Sequence, residues 1–466
     1  MNEADILSGS FRDPSGFLFR KNGTLYRQVN HFYEQDYRKL MDSGLHDKLV
    51  DENLLIPHEE VNTTPPQPDK SFKIIQPKEL DFISYPYEWS FSQLKRAALT
   101  TLKIQKTALD FDMTLKDASA YNIQYEGYKP IFIDTLSFEE YTEGEPWVAY
   151  RQFCQHFLAP LALMSYRDVK LNQLLRVHLD GVPLNLASSL LPMRSRLKFT
   201  LLSHIHFHAR SQERYVKKSK EQSKVSVDTS KKMGRTSLLG LIDSLESAVD
   251  GLSWREEDTL WSDYYGGSSN YSNEAMEDKK RVVEKFLNEA EPEEVWDLGA
   301  NIGVFSRIAS NKGIRTISFD FDPACVEGNY RKSLEEEEEN ILPLLLDLTN
   351  PSPGIGWENQ ERKSLLDRGP TDTALALALV HHLAISNNTP FRKIAHFFSK
   401  LCNSLIVEFV PKDDSQVQML LANRKDIFSD YTKNNFEAAF EEYFSIADSK
   451  EISDSKRTIY LMERNE

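Results

Sequence analysis

One short segment, residues 295–305, combines residue types that suit ligand binding through the backbone. It reads VWDLGANIGVF, so an apolar run that ends in Asp297 is followed by Gly299, Asn301 and Gly303 before a second apolar stretch. Glycine lets the backbone approach a ligand where a Cβ would clash, and the helix start behind such a turn offers unpaired N–H groups. The spacing therefore predicts a strand, a tight turn and a helix that together contact a bound molecule.

Two further carboxylates close the apolar runs that come next in the chain. Asp320 ends the run TISFD, and Asp347 ends the run ILPLLLD. A carboxylate placed like Asp320 accepts charge-assisted hydrogen bonds from both hydroxyls of a ribose. A carboxylate placed like Asp347 accepts a hydrogen bond from an adenine amino group. The order of the motifs therefore favours a ligand that contains adenosine.

These motifs resemble those of class I S-adenosylmethionine-dependent methyltransferases, across residues 254–466. The resemblance implies that S-adenosylmethionine is the cofactor and that it is held by Asp297, Gly299, Asn301, Gly303, Asp320 and Asp347. Asp297 would reach toward the methionyl end, and the glycine turn would lie against the amino acid moiety. Tyr271, one of several aromatic residues before the motif, is a candidate to cap the adenine, although packing explains it equally well. A dinucleotide-binding dehydrogenase is the main alternative, but the turn lacks the GxGxxG pattern.

The methyl acceptor would lie beside the cofactor, near the run ALALALVHHLAI. His381 and His382 fall at the end of this fourth predicted strand, and either one could act as a general base because an unperturbed imidazole titrates near neutral pH. A structural role for one of them is the alternative. Glu408, on the fifth predicted strand, is expected at the same rim, where it would orient a histidine or touch the acceptor. The Asn/Asp-Pro-Pro-aromatic motif of many nucleic acid N-methyltransferases is absent, which favours a small-molecule acceptor.

Helix and strand patterns alternate from residue 274 to residue 410, and two strand-like runs close the chain. Such alternation is typical of parallel βαβ units. The sequence predicts an α/β fold for residues 254–466, with a Rossmann-like sheet of seven strands. The long connection at residues 356–369 carries Arg362 and Arg368, two candidates to contact an anionic acceptor group.

The first half of the chain shows a second resemblance. Asp117, Asn122 and Asp134 have the spacing of the catalytic loop and metal-binding aspartate of the protein-kinase-like fold, which includes aminoglycoside phosphotransferases. The resemblance implies that Asp117 orients an acceptor hydroxyl and that the other two bind Mg²⁺. The family's histidine, the glycine after the last aspartate and the glycine-rich loop are all missing, and Arg27 is the nearest cation. We expect a mixed α+β domain at residues 1–215 that recognises the acceptor, with phosphotransfer as the alternative.

Composition limits the remaining interpretations. The 466 residues are 40% apolar and 27% charged, which is typical of a folded protein. The net charge of −15 disfavours nucleic acid and anionic membranes as partners. The polar stretch within residues 216–253 predicts a linker followed by a short helix. Three distant cysteines, and a HIHFH run without nearby acidic or thiol ligands, give no metal site. No signal sequence or membrane span is visible, so we expect a cytoplasmic methyltransferase, or alternatively a module that binds S-adenosylmethionine without turnover.

Overall fold

The computed structural model describes residues 4–209, 233–254, 272–422 and 424–465. The chain divides into two compact units. Unit 1 comprises Met1–Arg255 together with Ile355–Arg362, and unit 2 comprises Glu256–Gly354 together with Lys363–Glu466. Residues 217–232 of the polar stretch and the aromatic residue Tyr271 lie outside the described residues.

Unit 1 begins with a five-stranded antiparallel sheet in the order β1-β2-β3-β5-β4. Its strands are β1 (Asp5–Ile6), β2 (Gly16–Lys21), β3 (Thr24–Asn30), β4 (His58–Glu60) and β5 (Ser71–Pro77). Strands β2 and β3 form a hairpin across a turn in which Asn22 has φ 53° and Gly23 has φ 82°. Positive φ at both central residues is what Asn-Gly favours in a two-residue hairpin.

The rest of unit 1 is mainly helical, with two small two-stranded sheets. Its helices are α1 (Glu34–Asp42), α2 (Leu45–Asp51), α3 (Phe91–Asp110), α4 (Tyr150–Phe153), α5 (Ala159–Tyr166), α6 (Leu174–Val177), α7 (Leu184–Leu190), α8 (Phe199–Leu201) and α9 (Arg235–Asp250). The strands are β6 (Met113–Leu115), β7 (Ile123–Glu126), β8 (Lys129–Phe132) and β9 (Phe138–Glu140), paired as β6 with β9 and β7 with β8. Helix α3 starts where Ser90 accepts a hydrogen bond from the Gln93 N–H, as a capping box requires.

Unit 2 contains a seven-stranded sheet in the order β12-β11-β10-β13-β14-β16-β15. Its strands are β10 (Glu294–Leu298), β11 (Arg315–Asp320), β12 (Ile341–Leu345), β13 (Thr371–Ala376), β14 (Cys402–Phe409), β15 (Phe444–Glu451) and β16 (Thr458–Arg464). The first five run parallel, and β16 is antiparallel to both of its neighbours. The predicted Rossmann-like sheet of seven strands is confirmed, and β16 is its reversed strand.

The helices of unit 2 connect these strands. They are α10 (Asn273–Ala290), α11 (Ser306–Ser310), α12 (Pro323–Glu335), α13 (Leu365–Arg368), α14 (Phe391–Leu401), α15 (Ser415–Leu421) and α16 (Lys433–Glu441). Every residue of β12 is buried, as expected for a parallel strand that is covered on both faces. One core cluster joins Val283 and Phe286 of α10 to Val295 of β10 and Ile459 of β16. This packing supports the sheet beneath the turns that follow its parallel strands.

The strand order places a crevice at a defined position. The chain leaves β10 toward β11 and β12, then returns to place β13 on the other side of β10, where Val295 lies between Thr316 and Thr373. The turns after β10 and β13 therefore diverge at the carboxyl edge of the sheet. Ligands of open α/β sheets bind at this switch point.

Candidate functional site

A cavity of about 420 Å³ opens at the carboxyl edge of the sheet in unit 2. It brings together most of the residues that the sequence indicated, namely Asp297, Gly299, Asn301, Asp320, Asp347, His381 and His382. Gly303 and Glu408 are not among the lining residues. Both contact lining residues. The Gly303 N–H donates to the Ala300 carbonyl, and Glu408 accepts a hydrogen bond from Lys279.

The glycine turn is fixed by the backbone. The N–H groups of Gly299 and Ala300 both donate to the Phe319 carbonyl at 2.9 Å, which ties the turn to the end of β11. Gly299 has φ 82° and Asn301 has φ 53°, both in the left-handed region. Glycine at position 299 thus satisfies a backbone conformation that a side chain would strain.

Gly303 serves a different purpose. Its φ is 78°, and a Cβ at this position would lie 2.5 Å from Oδ1 of Asn329 and 2.7 Å from an Arg307 nitrogen. The guanidinium of Arg307 in turn donates to Asn329 Oδ1 at 2.8 Å and to the Ile302 carbonyl at 2.8 Å. Gly303 therefore allows α11 and α12 to pack closely behind the turn.

Asp320 ends β11 and is 7% exposed. Its Oδ2 accepts from the Asn301 N–H at 2.7 Å, and its Oδ1 accepts from the Asp322 N–H at 2.9 Å. Burial raises the pKa of Asp320 to about 6, against these hydrogen bonds, which lower it. The carboxylate is consequently fixed in orientation, with accepting capacity left on both oxygens.

Asp347 lies just after β12 at the exposed rim of the cavity. Its Oδ1 accepts from the N–H of Thr349 at 2.8 Å and from the Thr349 hydroxyl at 2.6 Å. These two contacts hold the carboxyl group in one direction even though it is exposed.

Asp297 is the most deeply placed carboxyl group of the cavity, at 2% exposure. The Ser306 hydroxyl donates to its Oδ2 at 2.6 Å. Burial raises the pKa of Asp297 to about 7, and the charge of Asp320 raises it further, while Lys279 lowers it. A cation placed beside Asp297 would favour its ionised form.

Lys279 is a lining residue that the sequence analysis missed. It comes from α10, is 2% exposed, and donates from Nζ to Oε2 of Glu408 at 2.6 Å. Its ammonium also lies 4.8 Å from the centroid of the Phe305 ring. The signal was a lysine within an otherwise apolar stripe of the helix, which includes Val283 and Phe286.

Glu408 is fully buried beneath the cavity rather than at its rim. Its Oε2 accepts from the Ala378 N–H at 2.8 Å as well as from Lys279, and Arg457 lies 3.6 Å from its Oε1. Arg457 is itself paired with Asp414 at 2.8 and 3.0 Å. Glu408 therefore fixes both Lys279 and the turn after β13.

The two histidines follow that turn, with ring centroids 4.1 Å apart. His381 is 1% exposed, and within the part of the chain that the structure describes its Nδ1 has no hydrogen-bond partner. Burial lowers the pKa of His381 well below its usual value and lowers the pKa of His382 to about 4. Both imidazoles are consequently neutral at neutral pH.

Unit 1 brings the kinase-like residues together, but their partners lie within the protein. Arg27 pairs with Asp134 Oδ1 at 2.5 Å, and that carboxylate also accepts from the Leu136 N–H and from the Ser137 hydroxyl. Burial alone would raise the pKa of Asp134, but Arg27 and these hydrogen bonds hold it below its usual value. The carboxylate expected to bind Mg²⁺ therefore holds its own loop.

The two remaining residues of this constellation have similar local contacts. Asn122 donates to the Ser137 hydroxyl at 3.2 Å, and Asp117 accepts from the Ser119 N–H at 2.8 Å. Burial raises the pKa of Asp117, with the charge of Asp134 as a further cause. Among the described residues, no group of three or more histidine, cysteine or acidic side chains is placed to hold a metal ion.

Two other sequence features also have internal contacts in unit 1. His204 lies between the Tyr150 and Ser244 hydroxyls at 2.8 and 2.9 Å. Arg362, expected near the acceptor, belongs to the segment that groups with unit 1, where its guanidinium lies 4.3 Å over the Tyr121 ring.

The strand order, the reversed strand β16, the glycine turn and the carboxylates at the ends of β10 and β11 define the class I S-adenosylmethionine-dependent methyltransferase fold. The donor set fits that cofactor. Carboxylates suit its ammonium, ribose hydroxyls and adenine amino group, and a buried cation lies on the side of Asp297.

The chain belongs to the family of nodulation protein NoeA. It is 35% identical to that protein of Rhizobium meliloti (strain 1021) over 466 residues, which is 99% of this chain and 96% of the relative. The identity therefore extends over both units. No protein-family model matches the chain.

Solved structures show partial likenesses. Magnesium protoporphyrin IX methyltransferase (ChlM) from Synechocystis PCC 6803 with bound SAH is 16% identical, with a TM-score of 0.30 over 45% of this chain and all of its own. N-methyltransferase NodS from Bradyrhizobium japonicum WM9 is 9% identical, with a TM-score of 0.29 over 42% of this chain and 99% of its own. The bifunctional kinase-methyltransferase WbdD is 15% identical, with a TM-score of 0.29 over 46% and 45%. The fold assignment itself rests on the strand order and register of the sheet.

Proposed function

We propose that unit 2 binds S-adenosylmethionine in the cavity at the carboxyl edge of the sheet and transfers the cofactor's methyl group to a small-molecule acceptor. The observation that carries this proposal is Asp320. Its carboxylate is fixed at the end of β11 by two backbone N–H groups and lines the cavity together with the glycine turn. That arrangement suits a pair of ribose hydroxyls.

The methionyl end of the cofactor is a zwitterion, with one ammonium and one carboxylate. Asp297 and Lys279 are buried lining residues of opposite charge. We assign the ammonium to Asp297 and the carboxylate to Lys279, since a charge taken out of water needs a partner of opposite sign. Glu408 is a positioning residue in this scheme because it holds Lys279 without lining the cavity.

The reacting end lies at the histidines. The cofactor supplies a methyl group on a sulfonium centre, and the acceptor's attack forms the new bond as the carbon–sulfur bond breaks with its electron pair on sulfur. We assign the acceptor's proton to His381, which lines the cavity. The positive charge of the sulfonium is thereby replaced by that of an imidazolium, so the cavity keeps the same net charge.

The acceptor side of the cavity favours a neutral, hydroxyl-bearing molecule. Beyond the residues assigned to the cofactor, it offers the polar side chains of Ser386, Asn387 and Gln416 beside apolar ones such as Leu383 and Leu420. Hydroxyl and amide groups recognise a neutral polar molecule without a compensating charge.

Turnover is the test of this proposal. We expect the full chain to transfer label from methyl-labelled S-adenosylmethionine into the small-molecule fraction of a cell extract. We expect His381→Asn to reduce that rate by roughly 10²–10⁴-fold while its affinity for S-adenosylhomocysteine stays within a factor of about two. The matched control is His396→Asn, on α14 and outside the cavity lining. Binding of the cofactor without any transfer would instead identify a non-catalytic module.

A further inference from the structure

Unit 1 carries a short surface that is both apolar and basic. We call it the basic–apolar ridge and define it as Met193, Arg194, Arg196, Leu197, Lys198 and Phe199. Met193 is 72% exposed, Leu197 87% and Phe199 75%, which are among the highest exposures of large apolar side chains in the described residues. Large side chains presented together in this way mark an interaction surface.

The ridge is held by contacts on its inner side. Ser195, in its middle, is fully buried, and its hydroxyl bonds to the Pro192 carbonyl at 2.6 Å and to Nε2 of His206 at 2.9 Å. Nδ1 of the same histidine lies 2.8 Å from the Ser188 hydroxyl. Met193 and Leu197 flank this anchored serine, so the exposed side chains are presented by a fixed backbone.

The local charge is opposite to that of the whole chain. The protein has 71 acidic residues and a net charge of −15, yet no acidic residue occurs from Gly181 to Ala209. Arg167 adds a fourth cation beside the ridge, since its Nε donates to the Leu190 carbonyl at 2.6 Å. The nearest acidic residue before this stretch is Asp180. Helix α9, which contacts α8, carries Asp243 and Glu246, and both of these pair with Lys106. The charged residues of the ridge itself are therefore all cations.

We propose that the basic–apolar ridge docks the protein onto an anionic lipid surface. The cations would meet lipid phosphates, and Leu197 and Phe199 would enter the interfacial region of the bilayer. None of the described helices is long and apolar enough to cross a bilayer, so the contact is peripheral. Nucleic acid fits the cations but not exposed aliphatic side chains.

Vesicle co-sedimentation of the full chain tests this proposal. We expect binding to vesicles of phosphatidylcholine with phosphatidylglycerol, and weak binding to phosphatidylcholine alone. We expect Leu197→Ser/Phe199→Ser to weaken binding to the mixed vesicles by roughly tenfold or more, because two apolar side chains lose their burial. Arg194→Gln/Arg196→Gln/Lys198→Gln should remove the preference for the anionic lipid. Phe32→Ser is the matched control, since Phe32 is 73% exposed elsewhere in unit 1.

Folding and cofactor binding separate this test from that of the methyltransferase proposal. Leu197 and Phe199 are exposed, so the melting temperature and S-adenosylhomocysteine affinity of the serine variant should match those of the unmodified chain. Equal sedimentation of the serine variant and the unmodified chain would overturn the docking proposal, as would absence of binding to the mixed vesicles. Tight binding to an RNA oligonucleotide that the serine variant retains would also overturn it, in favour of a polyanion surface.

Discussion

Lys279 and Asp297 set the charge of the candidate site at the scale of single residues. Both are almost fully buried, and each has a defined partner behind it, Glu408 for the lysine and Ser306 for the aspartate. A site built this way binds a zwitterion without rearranging its own side chains. Preorganisation of this kind reduces the free energy lost on binding.

The contribution of Lys279 can be measured with two ligands that differ only at the amino acid end. We expect Lys279→Met to weaken the binding of S-adenosylhomocysteine by roughly 10- to 100-fold, the value of a hydrogen bond to a charged group. Binding of 5′-methylthioadenosine, which lacks the amino acid moiety, should stay unchanged. Lys285→Met is the control, because Lys285 is exposed on the same helix. An equal loss for both ligands would show that Lys279 only supports the cavity.

The pKa of Asp297 gives a second prediction at this scale. The pKa of Asp297 is about 7 in the folded protein and about 4 in the unfolded chain. Between these pH values the native state binds more protons than the unfolded state. The contribution of Asp297 to stability therefore falls as pH rises from about 4 to 7. We expect Asp297→Asn to raise the melting temperature relative to the unmodified chain at pH 8, with a smaller difference at pH 5. Asp413→Asn, an exposed residue, is the control. A difference that does not change with pH would contradict the assigned burial.

At the scale of elements, the turn that follows β10 depends on its glycines. At Gly303 both the positive φ and the close approach of Asn329 oppose a side chain. We therefore expect Gly303→Ala to lower the free energy of unfolding by roughly 2 kcal/mol or more. Gly240, inside α9 with open space around it, is the matched control, and alanine there should stabilise by about 0.5–1 kcal/mol. Denaturant unfolding followed by fluorescence measures both variants, and equal effects would refute the packing role.

Elements also show where sequence reasoning succeeds. The apolar runs that lead to Asp297 and Asp320 match β10 and β11, because a continuous apolar run between turn residues identifies a buried parallel strand. The fourth strand was expected to end at the two histidines but ends at Ala376. Ala378 has φ 51° and donates its N–H to Glu408, which lies 30 positions further along the chain. The local sequence pattern does not reveal such a distant contact. The same distant pairing explains why Glu408 was expected at the rim.

At the scale of the whole molecule, the two units are not continuous in sequence. Ile355–Arg362 lies between β12 and β13 in sequence, yet it belongs to unit 1, where Glu361 pairs with Arg12 at 2.6 Å. Unit 1 therefore includes a segment whose sequence lies between two strands of unit 2. The sequence showed only that this connection is long, because the partners of an inserted segment are set by tertiary packing.

Amide hydrogen exchange can measure how much the segment 355–362 protects its surroundings in unit 1. We expect Arg362→Ala to lower protection around Tyr121, whose ring the guanidinium covers, while protection of β10 and β11 stays unchanged. A half-buried cation–aromatic contact contributes about 1 kcal/mol, which corresponds to a several-fold change in exchange. Lys363→Ala, the next residue and assigned to unit 2, is the control. Unaltered exchange at Tyr121 would contradict the contact.

Calorimetric titration of S-adenosylhomocysteine into the full chain tests the central claim most directly, beside Asp320→Ala and the exposed control Asp413→Ala. We predict one site per chain with micromolar affinity in the unmodified chain and in the control. Asp320→Ala should lose most of that affinity while it remains folded, because the ribose loses its carboxylate. Absence of binding by the folded, unmodified chain would contradict the account, as would equal binding by Asp320→Ala.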